Sequence, residues 1–399
     1  MAREVCIVGA CRTPIGSFQG SLQNVHVKEL GRIVGAEALR RADIEPEDVD
    51  EIVCGNVIQA GCGGNVARQI QGALGIPWEA PAATINQLCA SGMRALEIAA
   101  HNIMLGKSTV SLVLGVENMS MAPYLLSKAR TGYRMGSGML EDAMLLDALV
   151  CSIEGYHMGM TAENIAERYA ISRNEQDELA CESQRRAAAA ISKGMFRDEI
   201  VPVEIRQKKE ILLFDTDEHV RVGTTMEKLA GLKPAFKDNG TVTAGNASGV
   251  NDGAAAVVLM SRERAAAMSL QPLAVVRATC STGVEPAVMG LGPAQAIPKA
   301  LKLAGLKFED INYFELNEAF AAQYLGVERM LQQEYGFTLN QQAVNRNGSG
   351  IALGHPVGCT GLRVIVSLVY EMLKTGERFG CASLCAGGGP AMAAIVERV

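Results

Sequence analysis

Asn86-Gln87-Leu88-Cys89-Ala90-Ser91-Gly92 runs directly into Met93-Arg94-Ala95-Leu96-Glu97-Ile98-Ala99-Ala100. An extended run ends at a cysteine, and a helix rich in alanine, leucine and isoleucine opens beside it. The sulfur is therefore expected near the unpaired N–H donors and the positive dipole end of a helix start. A free thiol titrates near ~8.5, and such surroundings lower that value and make a nucleophile. The plainer reading of Cys89 is a small buried hydrophobe. The stretch by itself leaves both open.

Working outward, Val5–Ala10 reads as a buried strand and 27–42 as an amphipathic helix with Leu30, Ile33, Val34 and Leu39 on one side. Residues 51–57 read as a strand, 65–75 as a helix, and 83–86 as the short strand that delivers Cys89. The unbroken apolar run 110–116 reads as a strand covered on both faces. From about 120 to 248 this alternation lapses into methionines, glycines and charges. Helices are expected at 161–169 and 174–192, a long excursion with short helices at 119–149, and a charged hairpin or loop at 204–222. Such a long irregular insertion is expected to cover a site.

Alternation resumes at 254–260, and the second half then echoes the first. Glu47-Asp48-Val49-Asp50 before strand 51–57 has its counterpart in Glu309-Asp310-Ile311-Asn312 before Tyr313–Asn317. The turn and helix after Cys89 match Gly354–Gly361 leading into helix 362–374. Each half is read as finishing on an apolar strand, 110–116 in one and 391–396 in the other. Two similar α/β halves meeting face to face are the natural outcome.

At 399 residues the chain exceeds what one core usually supports. A net charge of −6 leaves no basic face for nucleic acid, so an anionic ligand must be met by a local cluster of arginines and lysines. Eleven cysteines, an odd number without framework spacing, fit a reducing compartment. No CxxC or HExxH occurs and the five histidines are scattered, so no metal site is expected. No run approaches the ~20 apolar residues of a membrane span, and the first residues lack a leader pattern. The cytoplasm is the expected location.

Three later stretches carry more glycine and polar residues than packing requires. In Gly354-His355-Pro356 a histidine between glycine and proline at a helix start is rigidly aimed, for chemistry or for structure. In Cys385-Ala386-Gly387-Gly388-Gly389 the glycines let N–H groups turn toward an oxyanion, or simply make a tight turn. In Asn317-Glu318-Ala319-Phe320 the amide can orient a water or a histidine, or cap the next helix.

Motif by motif, these stretches resemble the thiolase family of acyl-CoA condensing enzymes. The match extends over nearly the whole chain, through Ala10–Gly16, Asn86–Gly92, Thr161–Asn164, Leu232–Phe236, Thr243–Ser248 with Asp252–Ala255, Asn317–Phe320, Gly354–Pro356 and Cys385–Gly389. The resemblance implies a thiolase-like α/β fold whose two halves pack as a layered αβαβα core. Residues 1–119 plus 249–269 would form the N-terminal half, 120–248 an inserted loop domain covering a coenzyme A site, and 270–399 the C-terminal half. It further implies Cys89 as the acylated nucleophile, His355 as the group that activates it, and Cys385 as the acid/base at the acceptor's α-carbon. Asn317 would hold a water in one oxyanion site, and the backbone of Cys89 and Gly387 would form the other.

For coenzyme A the resemblance implies Arg221 at the nucleotide end, and Leu149 and Ser248 along the pantetheine arm. His157, Met158, Met289, Ala319 and Phe320 would surround the reactive end. Gly155–Gly159 is similar to short-chain, biosynthetic thiolases. The implied activity is that of an acetyl-CoA C-acetyltransferase, joining two acetyl-CoA into acetoacetyl-CoA plus CoA through an acetyl-cysteine, with no cofactor beyond these thioester substrates. Segment 119–149 resembles a tetramer-forming loop, which implies a homotetramer built as a dimer of dimers. Ala90, Ser349 and Lys228 depart from the family pattern at points of CoA contact or turn geometry. A broader-chain 3-ketoacyl-CoA thiolase, a ketoacyl synthase, a cysteine hydrolase and a non-catalytic acyl-CoA binder are the alternatives. Intact Cys89, His355 and Cys385 favour an acyl-transferring enzyme.

Overall fold

A computed structural model describes residues 3–207 and 210–399. The first half runs β1 (Val5–Arg12), α1 (Val27–Ala42), β2 (Glu51–Gly55), α2 (Val66–Leu74), β3 (Ala82–Ile85), α3 (Ser91–Met104) and β4 (Val110–Asn118). After an insertion containing α4 (Met158–Arg168) and α5 (Arg173–Ser192), it closes on β5 (Asn251–Ser261). The second half runs β6 (Ala274–Gly283), α6 (Pro293–Ala304), β7 (Tyr313–Leu316), α7 (Ala321–Tyr335), α8 (Val357–Thr375), β8 (Phe379–Cys385) and β9 (Pro390–Arg398).

The two halves repeat one topology. In the first, the strand order is β1-β5-β4-β2-β3; in the second it is β6-β9-β8-β7, with Val344 bridging Phe314 where β3 would be. In each, the two inner pairings are antiparallel and the outer ones parallel. The halves join edge to edge where Val5–Ile7 of β1 lies antiparallel to Ala274–Val276 of β6. The counterpart of β9 is therefore β5 rather than the run 110–116, and β4 is matched by β8. The expected pairing of final strands misses this because β5 arrives only after the insertion.

Strands β4 and β5 are buried at every position, as their unbroken apolar runs require when helices cover both faces. Helices α3 and α8 form the central layer between the two half-sheets, α1 and α2 cover one outer face, and α6 and α7 cover the other. Five layers, αβαβα, result. Helix α8 is apolar almost all round, with Leu362, Val364, Ile365, Val366, Leu368 and Val369 all buried, which is the pattern of a helix with no solvent face.

The two central helices touch at equivalent glycines. A Cβ on Gly92 would lie 2.8 Å from the Leu362 backbone nitrogen, and one on Gly361 would lie 2.7 Å from that of Met93. Nothing larger than hydrogen fits at either place, so the helix starts are held together backbone to backbone.

In the insertion, 119–149 carries short helices, as expected, a 3-10 turn at Met119–Met121 and a π turn at Leu145–Leu149, with two two-residue strands between them, Tyr124–Leu125 and Glu141–Asp142. The charged stretch pairs Val203–Gln207 with Glu210–Phe214 as antiparallel strands, and Lys208 and Lys209 lie outside the described residues. The insertion is tied down by Arg12 of β1, which is fully buried and grips Asp217 through both of its Nη atoms, at 2.7 and 2.9 Å, and Glu199 through Nε at 2.7 Å. Among the described residues no helix is long and apolar enough to cross a membrane.

Candidate active site

Cys89 stands two residues ahead of α3. Leu88, which precedes it, has a left-handed φ of 49° and donates its N–H to Asn86 Oδ1 at 3.0 Å. Ser91 Oγ accepts from Gln87 N at 2.9 Å and donates to Leu88 O at 2.6 Å, closing the turn. The N–H groups of Gly387 and of Cys89 itself stand near enough to the part-buried sulfur to favour its thiolate.

The expectation of an acidified thiol is overturned. Burial pushes Cys89 up to about 11, the two N–H donors pull the other way, and the charge of Glu117 adds to the rise. Losing water costs the thiolate more than two donors and a helix end return. Ionisation must therefore be coupled to a base.

His355 carries a ring nitrogen free to accept a proton. Its N–H donates to Asn251 Oδ1 at 2.9 Å, and Gly354 before it takes φ 102°, where a Cβ would collide with the Asn251 side chain. Nδ1 lies 2.6 Å from Thr360 Oγ1, and that hydroxyl donates to Pro356 O at 2.9 Å. With its single proton directed at Pro356, the hydroxyl accepts from Nδ1–H. Nε2 is thus the unprotonated nitrogen, and it is buried without a protein partner. Burial, with the Arg363 charge adding to it, pushes the imidazole down to about 3, so the ring is neutral near pH 7.

Cys385 ends β8, where Gly388 (φ 78°) and Gly389 (φ 106°) turn the chain into β9. Burial raises its thiol first of all, and a thiolate at Cys89 would raise it further. Cys89, His355, Cys385 and Gly387 line a cavity of about 480 Å³. Leu149, His157, Met158, Arg221, Ser248, Met289, Ala319 and Phe320 line the same cavity. Backbone pairing brings several of these together, since Ser248 N donates to Ala319 O at 2.9 Å and Ala247 bridges Phe320. Met158 packs against the floor: a Cβ on Gly387 would stand 2.3 Å from Met158 Cε.

Asn317 is different. It is fully buried, does not line the cavity and does not cap α7, whose N-cap is Phe320. Its Oδ1 accepts from Arg363 Nη2 at 3.4 Å, while its Nδ2 donor has no protein partner.

Among the departures, Lys228 donates to Gly223 O at 2.7 Å and lines an adjoining cavity of about 280 Å³ that shares His219, Arg221 and Ala244 with the first. Ser349 is buried and its hydroxyl donates to Leu316 O at 3.4 Å. Ala90 is the N-cap of α3.

Sequence reasoning missed Thr360, Phe236 and His219. Thr360 has a legible signal, a hydroxyl four residues after Pro356 in the first turn of α8. Phe236 stacks on His157 at 4.6 Å and meets Phe320 edge-on at 6.1 Å, while burial pushes His219 down to about 4. Both come from irregular insertion where no periodicity marks them. Among the described residues, no three of His, Cys, Asp or Glu are grouped to hold a metal ion.

Residues 5–263 match the family model of the thiolase N-terminal domain, and residues 270–398 that of the thiolase C-terminal domain. The chain is 51% identical over 399 residues to the acetyl-CoA acetyltransferase of Syntrophomonas wolfei, and 49% identical over 398 residues to that of Escherichia coli K12, each covering 100% of both chains. A solved structure of the Syntrophomonas wolfei acetyl-CoA acetyltransferase matches with a TM-score of 0.99 at 52% identity, covering 100% of both chains. Human mitochondrial 3-ketoacyl-CoA thiolase in complex with CoA matches with a TM-score of 0.95 at 41% identity, over 100% of this chain and 99% of that one.

Proposed function

The chain belongs to the thiolase family, and on that premise we propose that it reversibly joins two acetyl-CoA molecules into acetoacetyl-CoA and CoA. It is an acyltransferase. The observation that carries the reading of its site is the convergence of both sulfurs, the free Nε2 of His355 and two N–H donors on one cavity.

In the first half-reaction Nε2 of His355 takes the Cys89 proton as the sulfur attacks the thioester carbonyl, and the oxyanion takes over the N–H donors of Cys89 and Gly387. The departing CoA thiolate takes its proton from Cys385. With Cys89 held as a thioester, no thiolate can form beside Cys385 to oppose its ionisation. Cys385 then removes an α-proton from the second acetyl-CoA. The enolate oxygen is met by His355 Nε2–H and by a water on the free Nδ2 of Asn317, donors worth roughly 3–4 kcal/mol each at such a site. The enolate carbon attacks the acetyl group, Cys89 leaves as thiolate, and His355 returns its proton. Protons balance over the cycle, and neither half-reaction calls for a resident cofactor.

Leu149 and Ser248 would hold the pantetheine arm, and Arg221, between the two cavities, the nucleotide end. His157, Met158, Met289, Ala319 and Phe320 would enclose the acyl group. We assign the protein to the cytoplasm and to a homotetramer. The exposed apolar side chains of the 119–149 excursion support the latter, with Met135 94% and Met139 80% exposed. Light scattering on a variant lacking that loop is expected to show loss of the tetramer.

Incubation with acetyl-CoA is expected to add one acetyl group to Cys89, read by mass, and Cys89→Ala to abolish it. Cys385→Ala should still form acetyl-enzyme yet lose α-proton exchange. Equal loss of both by Cys385→Ala would overturn this division of labour.

A further inference from the structure

Glu117, near the end of β4, is fully buried, and its carboxylate accepts four hydrogen bonds. They come from Asn56 Nδ2 (3.0 Å), Val57 N (3.0 Å), Ile58 N (3.2 Å) and Gly358 N (2.9 Å). Three of these donors belong to the loop after β2, the fourth to the first turn of α8. Each side leads on to a reacting group. Val57 O accepts from Asn86 Nδ2 at 3.4 Å, Asn86 Oδ1 accepts from Leu88 N, and Leu88 sets the turn of Cys89. On the other side Gly358 lies three residues past His355. Val357, between them, packs in one apolar cluster with Val57, Ile58, Leu88 and Cys89. A Cβ on Gly358 would stand 2.6 Å from Glu117 Oε2, so this approach requires glycine.

We propose that Glu117 is a positioning residue, whose four hydrogen bonds set the Cys89 turn against the His355 turn at the separation that proton transfer from sulfur to Nε2 requires. The inference rests on Cys89 as nucleophile and His355 as its base. Both carboxylate oxygens are engaged, Oε1 by Asn56 and Ile58, Oε2 by Val57 and Gly358. A glutamine in either orientation would turn an NH₂ group toward two donors.

Burial pushes the carboxyl up to about 7 against these donors, with Asp252 adding to the rise. The thiols of Cys54, Cys62, Cys89 and Cys359 also face it, and its charge raises each of them. The anion thus makes Cys89 a weaker acid. Its contribution is placement.

The test is Glu117→Gln in the full-length protein. Turnover is expected to fall about 100-fold, the scale of a misplaced reacting pair, with KM held within roughly 3-fold. The pH at which iodoacetamide half-alkylates Cys89 should move down, because the charge opposing the thiolate has gone. A loss of structure would instead expose the thiol, carry the profile all the way to that of a free cysteine at ~8.5, and lower the urea unfolding midpoint. Asn56→Ala serves if Glu117→Gln does not fold: it removes one donor and keeps the charge, so turnover should fall by roughly 10-fold with the alkylation profile unchanged. Unchanged turnover in either folded variant overturns the proposal. Cys89 acetylation of the unsubstituted protein, measured in parallel, separates the two readings: its absence overturns the nucleophile, whereas normal acetylation with unaffected variants overturns only Glu117.

Discussion

Arg12 and Asp217, 205 residues apart, form a bidentate ion pair with both side chains sealed from solvent. Asp217 Oδ1 also accepts from Ile15 N at 2.8 Å, so the pair fastens the insertion to the first strand and to the turn after it. Asp217→Ala leaves a buried guanidinium with Glu199 as its remaining carboxylate. A loss of about 3 kcal/mol of stability is expected, the cost of breaking a buried pair from one side, measurable by urea unfolding. CoA binding should weaken with it, since the insertion carries Arg221 and Ser248.

The tautomer of His355 depends on Thr360 alone among side chains. Thr360→Val removes the acceptor for Nδ1–H, so the proton is no longer confined to that nitrogen. Cys89 acetylation is expected to slow by ~100-fold, the lower range of a general base's contribution, with little change in KM. Thr360→Ser, which keeps the hydroxyl, should be close to the unsubstituted enzyme. Single-turnover rates across pH check both.

Each buried neutral histidine costs the fold stability in acid. His355 is held down to about 3 and His219 to about 4, against ~6.5 in an unfolded chain. Below ~6.5 the unfolded chain takes up protons that the folded one refuses, so stability falls with pH through that window by up to ~1.4 kcal/mol per unit for each histidine. Buried carboxyls act in the opposite sense: burial raises Glu315 to about 8, Glu117 and Glu328 to about 7 and Asp252 to about 6, so each favours the fold at low pH and loses that contribution as pH rises from about 4 through its raised value. The stability of His355→Asn relative to the unsubstituted protein should therefore rise as pH falls from about 7 to about 4, read from urea midpoints at each pH.

Met158 lines the cavity with its methyl group against Gly387. Met158→Ala should let longer acyl chains in. The kcat/KM for 3-ketohexanoyl-CoA relative to acetoacetyl-CoA is expected to rise about 10-fold, the scale on which a pocket discriminates by methylene groups. An unchanged chain-length profile would show that another wall sets the limit.

Much of this was legible where the physics is local. The runs 110–116 and 254–260 announce strands buried on both faces, and the two acidic turns before 51 and 313 announce the repeat. Cys89, His355 and Cys385 each sit beside glycine or a helix start, where the chain itself exposes a reactive group. What stayed hidden depends on distant partners. Thiol acidity at Cys89 turns on burial that no neighbour in sequence reveals, and Asn317 looks like a helix cap until Arg363, 46 residues on, is seen to engage it. The matching of β5 with β9 is obscured by the insertion that separates β5 from its half.

The contact of Gly92 and Gly361 with each other's helix has one more effect. Cys89 and His355 hang from the two ends it clasps, one from each copy of the repeat, so the proposed reaction centre behaves as a keystone with no slack of its own. Adaptation to other acyl groups must fall to the removable stones around it, Met158, Met289 and Phe320, while a methyl group added at the clasp would spring the arch.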